Sequence, residues 1–256
     1  IAVVVDEASI FYTGLKKTLM LPLMYNQTLP LGQMGAPFDW VFLDDLDLAC
    51  PYKLYVFMNA FHAVEKQKQA ISRLQRRGAK AFLWLYGAGF AGEKSLDVKG
   101  CTSLTGINIE MADKAGSLFV QLTDEGVGML HPGQADSLYG TRNAIGPLLY
   151  PKDPDAAVLG IMQGQDVPGL VLKRINGVDV YYSVAPTLPA SVLRGIADRA
   201  GVHVYSDRND VLYANKSFLS LYAVNAGVRH IRLPRRTDVY DVYADTSVAT
   251  NAVALD

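Results

Sequence analysis

The chain has 256 residues, of which 50% are hydrophobic and 19% are charged, and its formal net charge is −1. A globular chain of this length buries about 70–75% of the surface that its unfolded form exposes, so general disorder is excluded. The balance of 24 Lys and Arg against 25 Asp and Glu argues against a nucleic-acid partner, which normally requires a basic excess. No apolar run approaches the ~18 residues that a membrane span needs, so we expect no membrane partner.

Four short apolar runs in the first third of the chain predict buried parallel strands. They cover residues 1–5, 40–43, 54–58 and 81–85, and each is followed by polar residues or glycine. The first run opens the chain without an initiator Met or a basic signal region, so we expect a domain taken from a longer polypeptide. Two helices are predicted at 11–25 and 28–34, with interruptions at Pro22 and Pro30.

A further helix is predicted between the third and fourth runs, where apolar residues recur at helical spacing up to Gly78. This alternation of strands and helices predicts an α/β fold with a flavodoxin-like, doubly wound and mainly parallel sheet. Later strands are predicted at 117–122, 157–162, 169–174 and 178–183, the last two joined by an Asn176-Gly177 hairpin turn. A helix at 189–200 and a strand at 202–205 follow.

The last fifty residues predict a β-rich extension. Strands are expected at 211–214, 218–223, 228–233 and 239–243, separated by turn residues. The tail at 246–256 has little to pack and is expected to fray. We therefore divide the chain into an α/β domain, residues 1–205, and a β-rich C-terminal extension, residues 206–256.

Polar side chains follow the predicted parallel strands, at the edge of the sheet where open α/β proteins bind ligands. The substrate-binding candidates at this edge are Asp6, Glu7, Asp44, Asp45, Asn59, His62 and Tyr86. Paired carboxylates could share acid and base roles if burial separated their pKa values. The alternative is that each one caps the start of a helix by accepting backbone N–H bonds.

The turn at residues 86–89, Tyr-Gly-Ala-Gly, has the small residues of a nucleophile elbow but holds neither Ser nor Cys. Covalent catalysis is therefore not expected there. Residues 87–92 match the GxGxxG spacing of dinucleotide sites, but they follow the fourth strand rather than the first. The four histidines have no metal-ligand spacing, and the cysteines, Cys50 and Cys101, are expected to be small buried residues. We expect no metal and no cofactor.

The segments 82–89 and 56–61, with the helix that runs to Arg77, resemble the class I glutamine amidotransferase-like fold. They are more similar to its variant in bacterial β-galactosidases and related glycoside hydrolases, where it forms the trimerisation domain. Residues 39–46, with their Phe-Leu-Asp-Asp-Leu core, and residues 211–234 resemble the same group. The resemblance covers nearly the whole chain.

This resemblance implies a non-catalytic domain. Amidotransferases carry a catalytic Cys at the elbow and a later His-x-Glu pair, and this sequence has neither. In the glycosidases both catalytic carboxylates belong to a preceding (β/α)8 barrel, and this chain has too few repeating βα units to include one. The implied partners are that barrel within the same polypeptide, further copies of the chain in a homo-oligomer, and carbohydrate.

Two other hypotheses remain open on sequence alone. The first is an independent hydrolase that uses the carboxylates Asp6, Glu7, Asp44 and Asp45. The second is a sugar-binding module in which Trp40 and Trp84 stack on sugar rings, although both residues lie in strands that predict burial.

Overall fold

The computed structural model describes residues 1–14, 18–93, 95–131, 133 and 136–255. The parallel strands are β1 Ala2–Val5, β2 Asp39–Phe42, β3 Leu54–Phe57 and β4 Ala81–Leu85. The middle strands are β5 Ile109–Ala112, β6 Gly116–Leu122, β7 Leu138–Ile145, β8 Leu148–Pro151, β9 Ala157–Met162, β10 Pro168–Ile175 and β11 Val178–Ser183. The chain ends with β12 Val211–Ala214, β13 Leu219–Tyr222, β14 Ile231–Asp241 and β15 Thr246–Leu255.

The α-helices of the described residues are α1 Asn26–Gln33, α2 Glu65–Leu74, α3 Val98–Thr105, α4 Asp124–Leu130 and α5 Ala190–Arg199. Two 3₁₀ turns, Ala8–Tyr12 and Leu43–Asp45, follow β1 and β2, and a π-helical turn, Leu21–Tyr25, leads into α1. Helix α5 contacts both α1 and α4, and α4 contacts β6 and β9.

One nine-stranded mixed sheet organises the fold, in the order β2-β1-β3-β4-β11-β10-β9-β6-β7. The pairs from β2 through β11 are parallel, and those from β11 through β7 are antiparallel. The α/β class and the four parallel strands are therefore confirmed. The sheet is only half parallel, because the hairpin at Asn176-Gly177 reverses the chain and the strands beyond it continue antiparallel.

The core lies around the central strands, where β3 and β4 are almost entirely buried. Phe57 and Trp84 stack with ring centroids 3.9 Å apart, and Phe82 meets both rings edge-on. Strands covered on both faces need continuous apolar runs, and this explains why the sequence predicts them clearly.

Several predicted elements differ from the structure at the start of the chain. The helix predicted at 11–25 is replaced by the 3₁₀ and π-helical turns, and part of that prediction, residues 15–17, lies outside the described residues. Pro30 does not interrupt a helix but lies inside α1. It forfeits only the bond to the carbonyl of Asn26, the first residue of α1, so the helix tolerates it.

The end of the chain also differs from expectation. No strand forms at 202–205, where the prediction is wrong; the Tyr205 N–H donates to the carbonyl of Gly35 at 2.8 Å, and the Tyr205 carbonyl accepts the Arg232 N–H at 2.9 Å. The two strands predicted at 228–233 and 239–243 are one strand, β14, because register shifts between Arg232 and Thr237 accommodate Pro234 without a turn. The tail expected to fray pairs with β14 as β15.

Two burial predictions are wrong. Trp40 is 47% exposed, because it lies in β2, an edge strand that has a neighbouring strand on one side only. Cys50 is exposed, whereas Cys101 is buried as expected.

Candidate functional site

The candidate site lies beyond the carboxyl ends of β1, β3 and β4. Strand β1 is the point where the strand order reverses, because β2 lies on one side of it and β3 on the other. Open α/β sheets bind ligands at such a reversal. Asp6 follows β1 there and Asn59 follows β3.

The side-chain amide of Asn59 is paired with the backbone of Asp6. The Asp6 N–H donates to Asn59 Oδ1, and Asn59 Nδ2 donates to the Asp6 carbonyl, both at 2.8 Å. Asp6 Oδ2 accepts the Ser9 N–H at 2.8 Å, which caps the 3₁₀ turn. Both side chains are buried, so their hydrogen-bonding groups join neighbouring elements instead of facing a ligand.

His62 is connected to this network through Ser9, whose Oγ accepts the His62 N–H at 3.0 Å. Its Nδ1 lies 2.7 Å from the carbonyl of Ala91, and its ring stacks on Tyr12 with centroids 5.0 Å apart. Since a backbone carbonyl can only accept, Nδ1 carries the proton in this contact. The structure therefore brings Asp6, Asn59 and His62 together, and their hydrogen bonds join the loops that follow β1, β3 and β4.

The other carboxylates do not join that network. Glu7, Asp44 and Asp45 are exposed, and no hydrogen bond or ion pair of the described residues joins any of them to Asp6. Asp44 Oδ1 accepts Gln67 Nε2 at 2.8 Å, and Gln67 Oε1 accepts the Val64 N–H at 2.9 Å. Asp44 thus supports the start of α2.

Tyr86 follows β4 and is buried at the elbow. Its hydroxyl donates to the carbonyl of Pro147, 2.6 Å away, and burial raises its pKa well above the ordinary value. The next residues include Gly87 and Gly89, whose φ angles of +76° and +75° favour glycine. A side chain at Gly89 would place its Cβ 2.5 Å from the carbonyl oxygen of Gly100. The elbow therefore needs glycine for backbone packing.

Ala88, between those glycines, is fully buried and carries no nucleophile. Burial is the main cause of the raised pKa of Tyr86, and the charged form of Cys101, a neighbour that the sequence did not reveal, raises it further. Burial raises the pKa of Cys101 to about 12, so this thiol stays protonated and unreactive at neutral pH. That covalent catalysis does not occur at this turn stays a prediction.

A cavity of about 320 Å³ lies beside the elbow. Phe61, Tyr86 and Phe90 form part of its wall, and none of its described lining residues is charged. It is an apolar hollow and not the acidic crevice that the sequence suggested. In the described part of the chain no group of three or more His, Cys, Asp or Glu side chains could hold a metal, and no helix there is long and apolar enough to span a membrane.

The strand order defines the described residues as an α/β domain, and its turn after β4 carries Ala88 where a nucleophile elbow carries Ser or Cys. No family model matches the sequence, and no curated protein sequence matches it either. Solved structures do match the fold. A GH42 β-galactosidase of G. stearothermophilus matches with a TM-score of 0.66 and 12% identity, over 100% of this chain and 38% of that one.

Two other β-galactosidases give the same result. The enzyme of Bacillus circulans sp. alkalophilus matches with a TM-score of 0.65 and 15% identity, over 98% of this chain and 39% of its own. The enzyme of the haloarchaeon Halorubrum lacusprofundi matches with a TM-score of 0.64 and 15% identity, over 99% of this chain and 38% of its own. The chain thus spans about two fifths of the length of the β-galactosidases that it matches. The similarity read from the sequence is confirmed at the level of the fold.

A shorter protein shares part of the fold. A ThuA-like protein of Bacteroides uniformis matches with a TM-score of 0.50 and 10% identity, over 78% of this chain and 90% of its own.

Proposed function

We propose that this chain is a non-catalytic accessory and oligomerisation domain of a β-galactosidase-like glycoside hydrolase. In this proposal it is an amidotransferase-like domain with a flavodoxin-like, doubly wound core at residues 1–205 and a β-rich extension at 206–256. The catalytic (β/α)8 barrel lies elsewhere in the same polypeptide. The chain packs on that barrel and on further copies of itself.

The observation that carries the proposal is the extent of the match to β-galactosidases. Essentially all of this chain aligns with only 38–39% of each of three such enzymes. A match of this shape is expected of one domain of a larger enzyme, because the remaining three fifths of those chains have no counterpart here.

The chemistry of the carboxyl-end site supports the absence of catalysis. The elbow residue Ala88 has no nucleophilic atom, and the nearby Cys101 thiol is held protonated. Asp6 and Asn59 are occupied by backbone hydrogen bonds. Glu7, Asp44 and Asp45 face outward, where in this proposal they meet a neighbouring domain and do not serve as an acid and base pair.

Exposed apolar side chains support the oligomerisation role. In the segment from β1 to α1, six large apolar side chains are between 44% and 88% exposed: Ile10, Phe11, Tyr12, Leu21, Tyr25 and Leu29. Contact with another protein surface would remove such side chains from water. Phe11 is 88% exposed, so covering it would remove the largest fraction of a side chain in this group from water.

The proposal is tested by comparing this chain with the complete protein that its gene encodes. Hydrolysis of an aryl β-galactoside is measured for both, and their masses in solution are determined by light scattering. We expect hydrolysis by the complete protein alone, and an assembly whose mass falls when Phe11 and Tyr25 are changed to Ser. Turnover by residues 1–256 alone, lost on Asp44→Asn with an unchanged melting temperature, would establish the independent-hydrolase alternative.

A further inference from the structure

A second cavity, of about 400 Å³, lies at the opposite end of the edge strand from the elbow. Phe38 and Asp39, at the start of β2, form one wall. Tyr213, Asn215 and Phe218, on the β12–β13 hairpin, form the other. This volume lies within the range of small-molecule sites, about 300–1,000 Å³.

The aromatic side chains of this cavity are exposed to solvent, and the hairpin that carries two of them is anchored in the core. Tyr213 is 64% exposed and Phe218 is 66% exposed, although Leu212 anchors the same hairpin at 1% exposure. On the opposite wall Phe38 packs edge-on against Trp40, with ring centroids 5.8 Å apart. Such rings offer flat apolar faces that lose little conformational entropy when a ligand covers them.

The polar groups of the cavity include both donors and acceptors. Asn215 Oδ1 accepts the N–H groups of Ser217 at 2.9 Å and Phe218 at 2.8 Å, which identifies that atom as oxygen. Both of these bonds use Oδ1, and no hydrogen bond of the described residues uses Asn215 Nδ2 as a donor. Asp39 Oδ2 accepts the Tyr52 hydroxyl at 2.9 Å, which leaves Oδ1 available as an acceptor.

We propose that this cavity binds a neutral saccharide. The apolar face of a pyranose ring stacks on Tyr213 or Phe218, while its hydroxyl groups donate to Asp39 and accept from Asn215. This pairing of an apolar face with both donors and acceptors matches a sugar ring, whose hydroxyls do both.

The charges and donors disfavour other ligands. Asp39 is the one charged side chain among the described lining residues, so an anion is repelled. A cation would be attracted to Asp39 and to the rings, but it would face the positive N–H groups of Asn215. The inference does not rest on the proposed function, because it uses only side chains of this cavity.

The test measures saccharide binding to residues 1–256 alone by saturation-transfer NMR, because a catalytic barrel in the complete protein would itself bind galactosides. Lactose and methyl β-galactoside are the probes, and choline is the cationic comparison. Two variants address the cavity. Asn215→Asp keeps the oxygen that holds the turn and removes the two donors, and Phe218→Ala removes an exposed ring. Tyr243→Ala is the matched control, because Tyr243 is a fully exposed aromatic residue outside the cavity.

We expect a saccharide signal that Asn215→Asp and Phe218→Ala weaken about tenfold and that Tyr243→Ala leaves unchanged. Unchanged melting temperatures show that the variants fold, and if Phe218→Ala unfolds, the donor variant alone decides. Equal binding by the variants and the unmodified protein, or binding of choline without the saccharides, overturns the inference. The readout is binding and not hydrolysis, so its failure is separate from any failure of the proposed function.

Discussion

Asp6 is a carboxylate at the carboxyl end of the parallel strands whose hydrogen bonds support the fold. It follows a buried strand, where the chain must begin a 3₁₀ turn whose first N–H groups lack partners. Its Oδ2 accepts one of them, from Ser9, and its backbone pairs with Asn59. The sequence predicted that Asp6, Asn59 and His62 lie at one edge of the sheet. It could not predict their hydrogen-bond partners Ser9 and Ala91, because these depend on the conformation of loops, which have no periodic pattern.

Asp210, just before β12, and Arg229, just before β14, form a largely buried ion pair. Arg229 Nε lies 2.8 Å from Asp210 Oδ2 and its Nη2 lies 3.1 Å from Oδ1, and Oδ1 also accepts the Val224 N–H at 2.8 Å. The Asp210 side chain is 1% exposed. The hydrogen bonds from Arg229 lower the pKa of Asp210, more than burial raises it.

This pair predicts a loss of stability in acid. Because the folded pKa lies below the ordinary value of 3.8, Asp210 stabilises the fold fully above that value. The contribution disappears as the pH falls through the lower, folded pKa. The free energy of unfolding, measured by urea titration from pH 5 to about pH 2, should fall less steeply for Asp210→Asn than for the unmodified chain. Identical slopes for the two proteins would contradict this assignment.

At the scale of elements, the position of a strand in the sheet determines how exposed each of the two tryptophans is. Trp84 lies in β4, in the interior of the sheet, stacked on Phe57 and 1% exposed. Its indole N–H has no hydrogen-bond partner in the described residues, so packing is what the ring contributes. Trp40 lies in edge strand β2 and is 47% exposed, although its sequence surroundings look equally apolar.

The two tryptophans make a matched pair for mutagenesis. Trp84→Ala should destabilise the chain by about 3–5 kcal/mol, because it leaves a cavity in a packed core. Trp40→Ala should cost about 1 kcal/mol or less, since half of that side chain already contacts solvent. Chemical denaturation followed by circular dichroism measures both. Equal losses would show that β2 is not an edge strand in solution.

The elements predicted well from sequence are those with the strongest local signals. The continuous apolar runs of β1, β3 and β4 and the Asn176-Gly177 hairpin all lie where predicted. The pairing of β14 with β15 could not be predicted in the same way, because both strands are largely exposed and lack a clear alternation. Strand order, which exposes Trp40, is a long-range property that no local pattern contains.

At the scale of the whole molecule, the fold and the site lead to the same conclusion. The chain aligns in full with about two fifths of three β-galactosidases, and the groups at its carboxyl-end site are occupied in bracing loops. The saccharide cavity lies at the other end of β2 and was not suggested by sequence, because it joins residues 38–39 to residues 213–218. The proposed function accordingly assigns catalysis to residues outside this chain.

The most direct measurement of that claim is kcat/KM for an aryl β-galactoside, using the complete encoded protein with Asp6→Asn, Asp44→Asn and Asp45→Asn combined. We predict turnover within about threefold of the unmodified protein, together with a lower melting temperature, because Asp6 and Asp44 accept hydrogen bonds that support the fold. A fall of about a hundredfold or more with an unchanged melting temperature would contradict the account and place catalysis in this domain.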